Sequence, residues 1–225
     1  MGRAHGNERR KAPEERDDAL RYQALPRSFF ERPVLSVARG LIGALLVHEQ
    51  PRGRLVGRIV ETEAYRGPED RAAHSFGGRR TSRTEVMYGA AGHAYVFFVY
   101  GMHWNFNVVT GGVGQPHAVL IRAVEPLAGQ RQMAARRGLP VDSPCLTNGP
   151  GKLSQAFGFD RSHYGLDLCA GPVYFAAGEP LAVRRSARVG VPYAREWAER
   201  PWRFFAADSP WVSRGPRARG RLPAR

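Results

Sequence analysis

The stretch Leu55-Val-Gly-Arg-Ile-Val-Glu-Thr-Glu-Ala-Tyr65 carries the strongest strand signal in the chain. It is rich in β-branched residues and is bounded by Pro51 and Gly53 before it and Gly67-Pro68 after it, and such punctuation closes strands. Side chains alternate along a strand, so Ile59, Glu61, Glu63 and Tyr65 are expected on one face and Val60, Thr62 and Ala64 on the other. Two carboxylates on one face cost free energy unless each is partnered, hydrogen-bonded or protonated. Such pairs recur at acid–base sites. A solvated strand face is the competing reading, and spacing alone does not separate the two.

Working outward, Ser28, Glu31 and the run Val34, Val37, Leu41, Ile42, Leu45 give a capping signal and a 3–4 spacing, which predicts a helix to about Leu46. Residues 66–91 are polar and Gly-rich, a loop long enough to be functional. Tyr95–Tyr100, Trp104–Thr110 and Ala118–Val124, separated by Gly101 and by Gly111-Gly112-Val113-Gly114, predict an antiparallel meander. Helices are expected at Leu127–Arg137 and Gly151–Phe157, and further strands at Val173–Ala176 and Leu181–Arg185. The fold class read from this order is α+β, one mixed domain over 25–213. Residues 1–24 are read as a flexible lead and 214–225 as a disordered basic tail.

The 225 residues carry a formal net charge of +14, which points to a polyanionic partner, most often nucleic acid. Five arginines and no acid fall in residues 214–225, and most of the remaining excess lies on the body. Two cysteines are too few for a disulfide framework. No apolar run approaches the ~20 residues of a bilayer span, and the polar start has no export signal, so a cytoplasmic protein is expected.

Other candidate chemistry is thinner. His74 stands in the charged loop among Glu69, Asp70, Arg71, Arg79, Arg80 and Arg83, where a base, a ligand and plain surface are all open. No HExxH or paired CxxC spacing supports a metal, and no cofactor is expected. Gly149-Pro150-Gly151-Lys152 fails as a phosphate loop, because Leu153 follows the lysine and Leu146 stands where the first glycine belongs. The strands Tyr95–Tyr100 and Trp104–Asn107 are unusually aromatic, with Asn105 and Asn107 alternating among apolar residues. Aromatics on a basic scaffold offer stacking platforms for bases, although aromatic strands are more often core.

The block Val60-Glu-Thr-Glu-Ala-Tyr-Arg-Gly-Pro-Glu-Asp-Arg-Ala-Ala-His-Ser75 resembles the signature of the alkyladenine (3-methyladenine) DNA glycosylases. Tyr100-Gly-Met-His103, Asn107, Leu120–Leu127, Gly149–Leu153, Arg188-Val-Gly-Val191 and Ser209-Pro-Trp-Val-Ser213 are similar to its other blocks, in the same order. The resemblance runs from about Ser28 to Ser213 and leaves out both tails. It implies a single mixed domain around a curved antiparallel sheet, not a helix-hairpin-helix. It also implies an enzyme that flips an alkylated or deaminated purine out of duplex DNA and hydrolyses its N-glycosidic bond.

By that resemblance Glu63 is the general base, and Arg122 and the backbone carbonyl of Val212 hold the attacking water with it. Tyr65 lies against one face of the flipped base, and His74 and Phe97 against the other. Phe97 departs from members that carry Tyr there, so any hydroxyl contact is lost. Tyr100, with Met102 beside it, fills the gap left in the duplex. Asn107 faces the base edge where guanine carries its 2-amino group. The partner implied is double-stranded DNA containing damaged purines, met by a monomer, with no membrane, in a bacterial cytoplasm and on the nucleoid.

Only Lys11 and Lys152 are lysines. Strand cleavage through a Schiff base needs an amine, so a monofunctional enzyme leaving an abasic site is expected. A non-catalytic nucleic-acid-binding module would explain charge and aromatics but not Glu63 on a DNA-facing surface. A glycoside hydrolase would explain Glu61 and Glu63 but not the basic surface.

Overall fold

The computed structural model describes residues 22–51, 53–215 and 219–222. Its spine is β2 (Gly53–Arg66), preceded by α1 (Arg27–Phe30), α2 (Val34–Gly40) and β1 (Leu45–Gln50). After β2 come β3 (Ala94–Val99), β4 (His103–Thr110), β5 (His117–Ala128), α3 (Gln130–Arg137) and α4 (Pro150–Phe157). The chain then adds β6 (Val173–Ala176), β7 (Val183–Ser186), β8 (Arg203–Ala206) and β9 (Arg219–Leu222). The nine strands form one sheet in the order β3-β4-β5-β2-β8-β7-β9, with β1 joining β2 to β6. Every strand pairing in it is antiparallel. The α+β class with an antiparallel sheet is as the sequence indicated.

β2 pairs with β5 along its length on one side, while its other edge is shared. Residues 53–58 pair with β1, and Glu61–Glu63 with β8. At the branch the register shifts between Ile59 and Glu61 and again between Glu61 and Thr62, so Val60 has no partner on β5. This bulge corrects the strict alternation expected there. Ile59 does not share the acidic face; it packs in the main core together with Val60 and Ala64. An extra residue in one strand resets the faces beyond it.

The helix expected to run to about Leu46 is also corrected. Pro33 interrupts it, since proline lacks the donor a continuing helix needs and restricts the residue before it, and the second piece stops at Gly40. α1 and α2 flank that break, and Leu45, assigned to the helix, opens β1. β5 extends through Pro126 to Ala128, so α3 begins three residues later than Leu127. In the expected tail, Arg219–Leu222 pairs with the edge of β7, and in the expected lead Ala24 bridges to Ala176. Unpaired strand edges recruit neighbouring backbone in this way.

The helices cover one face of the sheet. Val37 and Ala38 of α2 and Leu153, Ala156 and Phe157 of α4 join Phe106, Val119, Ile121 and Ala123 in one buried cluster. Phe106 stacks on Phe159 at 4.2 Å between centroids. Gly57 of β2 lets the layers approach: a Cβ there would meet Val124 at 2.6 Å and Phe157 at 3.1 Å. With Phe106, Val119 and Ile121 committed to that face, alternation turns Asn107, Leu120 and Arg122 to the other.

Candidate active site

The uncovered face of β3, β4, β5 and β2 floors a cavity of about 260 Å³. One row crosses it by strand register, from Tyr95 through Asn107 and Leu120 to Glu63. Tyr65, His74 and Phe97 stand around this floor, and Val189, Gly190 and Val191 close one side. The volume lies at the small end of ligand pockets, room for one planar heterocycle rather than an oligosaccharide.

The two glutamates are both fully buried but bonded differently. Glu61 accepts from Arg122 Nε at 2.8 Å, Arg203 Nε at 2.7 Å, the Ser213 amide at 2.7 Å and the Ser213 hydroxyl at 2.9 Å. Glu61 thus takes four donors, three of them on Oε1 and one on Oε2. Glu63 accepts from the Val189 amide at 2.7 Å on one oxygen, and from the Tyr65 hydroxyl at 2.8 Å and Arg122 Nη1 at 3.3 Å on the other. All three of these partners line the cavity, whereas Arg203 and Ser213 on Glu61 do not. Of the pair that the strand spacing left equivalent, Glu63 is the one bonded only to the cavity wall.

Arg122 ties the two together and also lines the cavity. Burial would lower its pKa, but the charges of Glu63 and Glu61 more than offset that and raise it. Arg203 completes the balance: besides Glu61, it donates to the Ser213 carbonyl at 2.9 Å. Two buried anions thus face two buried cations, the condition under which charges survive out of water.

The walls are held from behind. The Arg188 guanidinium lies 4.8 Å from the Tyr65 ring centroid, a cation–π contact. It is fixed by a fully buried ion pair with Asp70 and by the Ala64 carbonyl at 2.9 Å. Asp70 also accepts from the Arg66 and Ala72 amides, pinning the start of the 66–91 loop. Ser75 ties the same loop to the Pro116 carbonyl at 2.9 Å. The loop therefore delivers His74 to a fixed position.

His74 meets the Phe97 ring edge-on at 4.5 Å and its Nδ1 lies 2.7 Å from the Tyr95 hydroxyl. Arg83, a donor only, faces its Nε2 at 3.4 Å, which assigns the proton to Nδ1. Desolvation first, then the charges of Arg83 and Arg79, lower its pKa to about 4. At neutral pH His74 is an uncharged ring. Asn107 is buried and its amide donates to the Tyr95 carbonyl at 2.9 Å, so it serves the strand pair as well as lining the cavity.

At the rim, β3 and β4 are joined by Tyr100, Gly101 and Met102. Tyr100 and Gly101 both have positive φ (53° and 66°), and the Met102 amide donates to the Val99 carbonyl at 3.2 Å. Positive φ at both central residues marks the primed turns of twisted hairpins, yet a left-handed tyrosine is strained by roughly 1–2 kcal/mol. Tyr100 is 80% exposed and Met102 67%. Two large apolar groups on a strained, solvent-facing tip gain nothing for the fold.

The structure gathers Arg122, Tyr65, His74, Phe97 and Asn107 in the lining of one cavity, with Tyr100 at its rim. Glu63 lies behind that lining, bonded to three residues of it, Tyr65, Arg122 and Val189. Met102 and Val212 are not among the lining residues, though Ser213 beside Val212 is bonded to Glu61. Asp70, Arg203 and the Val189 amide were not singled out from sequence, and Arg188 appeared only inside a motif. Their signal is weak, because nothing in a run of arginines tells which are buried. Lys152 lies outside the cavity lining and donates to Asn148 at 2.8 Å; Lys11 lies outside the described residues.

The methylpurine-DNA glycosylase family description matches residues 28–210. A Desulfitobacterium hafniense protein is 51% identical over 198 residues, covering 84% of this chain and 98% of its own. A Myxococcus xanthus protein is 49% identical over 203 residues (89% and 98%), and one from Bacillus licheniformis 46% over 196 (86% and 98%). All three bear the name "Putative 3-methyladenine DNA glycosylase". The chain belongs to the methylpurine-DNA glycosylase family. Among the described residues no helix is long and apolar enough to cross a membrane.

Proposed function

We propose that the protein is a monofunctional base-excision-repair glycosylase acting on alkylated or deaminated purines in duplex DNA. Its substrate class comprises 3-methyladenine, 7-methylguanine, hypoxanthine and ethenoadenine. The observation that carries this reading is Glu63, buried behind the wall of a base-sized cavity and bonded to three residues of that wall. Departure of a base from C1′ leaves an oxocarbenium-like sugar, and water alone is a poor nucleophile. Glu63 takes the water's proton as the oxygen bonds to C1′ and the C1′–N bond breaks, its electrons leaving with the base. The carboxylate also faces the developing positive charge. Arg122 and the Val212 carbonyl complete the hold on the water.

Tyr65 stacks on one face of the base, and His74 and Phe97 on the other. A neutral His74 fits this role, since cationic alkylated purines would be repelled by an imidazolium. Such bases leave readily; a neutral lesion needs a proton from another group, because His74 carries none to spare near pH 7. Asn107 disfavours guanine through its 2-amino group; 7-methylguanine carries the same group and is released because its positive charge makes it a ready leaving group. Tyr100 with Met102 occupies the vacated stack. DNA is the partner of a monomer, and the bacterial nucleoid its place of action. Excision from duplexes each bearing one defined lesion tests the proposal: release of the methylated purine with an intact abasic strand is expected, and absence of release from all of them contradicts it. A steep salt dependence of duplex binding further separates it from a sugar hydrolase.

A further inference from the structure

Asn105 stands on β4 two residues before Asn107, on the same face, and lines the same cavity. Its partner across the strand register is Phe97, a ring with no hydrogen-bonding group. The two asparagines differ in what they bond. Asn107 donates to Tyr95, whereas the carbonyl oxygen of Asn105 is buried and no donor among the described residues reaches it. A buried acceptor without a partner is costly and calls for an explanation. Packing does not supply one, since the neighbouring floor and wall positions Leu120 and Val99 are filled by aliphatic side chains.

We infer that Asn105 is a specificity-determining residue whose Oδ1 accepts a hydrogen bond from the 6-amino group of a flipped adenine-type purine. The inference rests on the function proposed above. Same-face positions along a strand lie about 6.6 Å apart. A purine whose 2-position meets Asn107 therefore turns the other end of its Watson–Crick edge, the 6-position, towards Asn105. Adenine and 3-methyladenine carry a donor there, whereas hypoxanthine, guanine and ethenoadenine, whose N6 is closed into a ring, present an acceptor. With no hydroxyl on Phe97, Asn105 is the group that reads this end of the base. It favours 3-methyladenine over 6-oxo lesions.

Single-turnover excision by the full-length protein, from duplexes holding one 3-methyladenine or one hypoxanthine, tests this with Asn105→Leu and Asn105→Ala. The first keeps side-chain volume and the second leaves a void; both remove the carbonyl. The ratio of the two rates in one preparation is independent of how much of the variant is folded. It should fall about tenfold in both variants, the loss of one such hydrogen bond. A ratio within about twofold of wild type in either variant overturns the inference, because a packing role lowers both lesions together and a steric effect separates the two variants. A wild type that releases neither lesion defeats the parent reading, and this one with it.

Discussion

On the face of the sheet covered by α2 and α4, Phe106, Val119, Ile121 and Leu153 pack with few polar atoms among them. On the opposite face the same strands present Glu63, Arg122, Asn105 and Asn107. The covered face secures the register, because a slip of one residue would turn its aliphatic set outward. The cavity face cannot hold itself by burial alone. Each of its charges is clamped by a segment arriving from elsewhere in the chain: Val189 on Glu63, Ser213 and Arg203 on Glu61, Asp70 on Arg188. One face is built for stability, and the other borrows it.

The largest effect expected from breaking this arrangement is at Glu61. Glu61→Gln removes the anion shared by Arg122 and Arg203, and breaking a buried pair from one side typically costs about 3–5 kcal/mol. Urea unfolding should show a loss of that order, with excision falling only as the folded fraction falls. A loss below about 1 kcal/mol would place Glu61 outside the structural network.

The rim should behave in the opposite sense. Tyr100→Gly relieves a left-handed tyrosine, so stability should hold or rise by up to about 1 kcal/mol. Base flipping should nonetheless weaken by about 1–3 kcal/mol, by analogy with base–aromatic stacking, read from the fluorescence of a flipped reporter base. Equal flipping in variant and wild type would return Tyr100 to a purely structural role.

Much of this division was legible in the sequence. The alternation in Trp104–Asn107 and Ala118–Val124 separates the two faces, and Glu61-Thr-Glu63 announces a buried charge pair as soon as its strand is seen to be central. What stayed hidden is physical rather than accidental. The bulge at Val60 depends on β1 and β8 competing for one edge of β2, a long-range contact. The choice of Glu63 over Glu61 as the carboxylate bonded only to the cavity wall depends on Val189, 126 residues from Glu63, and on Ser213 and Arg203, more than 140 residues from Glu61. Pro33 was a local signal that the apolar spacing around it obscured.

A smaller effect comes from pH, and it tests both faces at once. Desolvation lowers His74 on the cavity side and His48 near Phe157 on the covered side to about 4. Their unfolded forms titrate near 6.5, so between about 4 and 6.5 the unfolded chain binds more protons than the folded one. Stability is then fully present above 6.5 and is lost as pH falls through this window. The drop in Tm from pH 7.5 to pH 5 should be smaller in His74→Gln and in His48→Gln than in wild type. An unchanged drop in both would mean that neither imidazole is held neutral.

The central claim is that Glu63, not Glu61, performs the chemistry. Single-turnover release of a methylated purine by Glu63→Gln, measured alongside its affinity for the same lesion duplex, addresses it most directly. The rate should fall by about 10²–10⁴ while lesion binding stays near that of wild type. A rate within a few-fold of wild type would contradict the account.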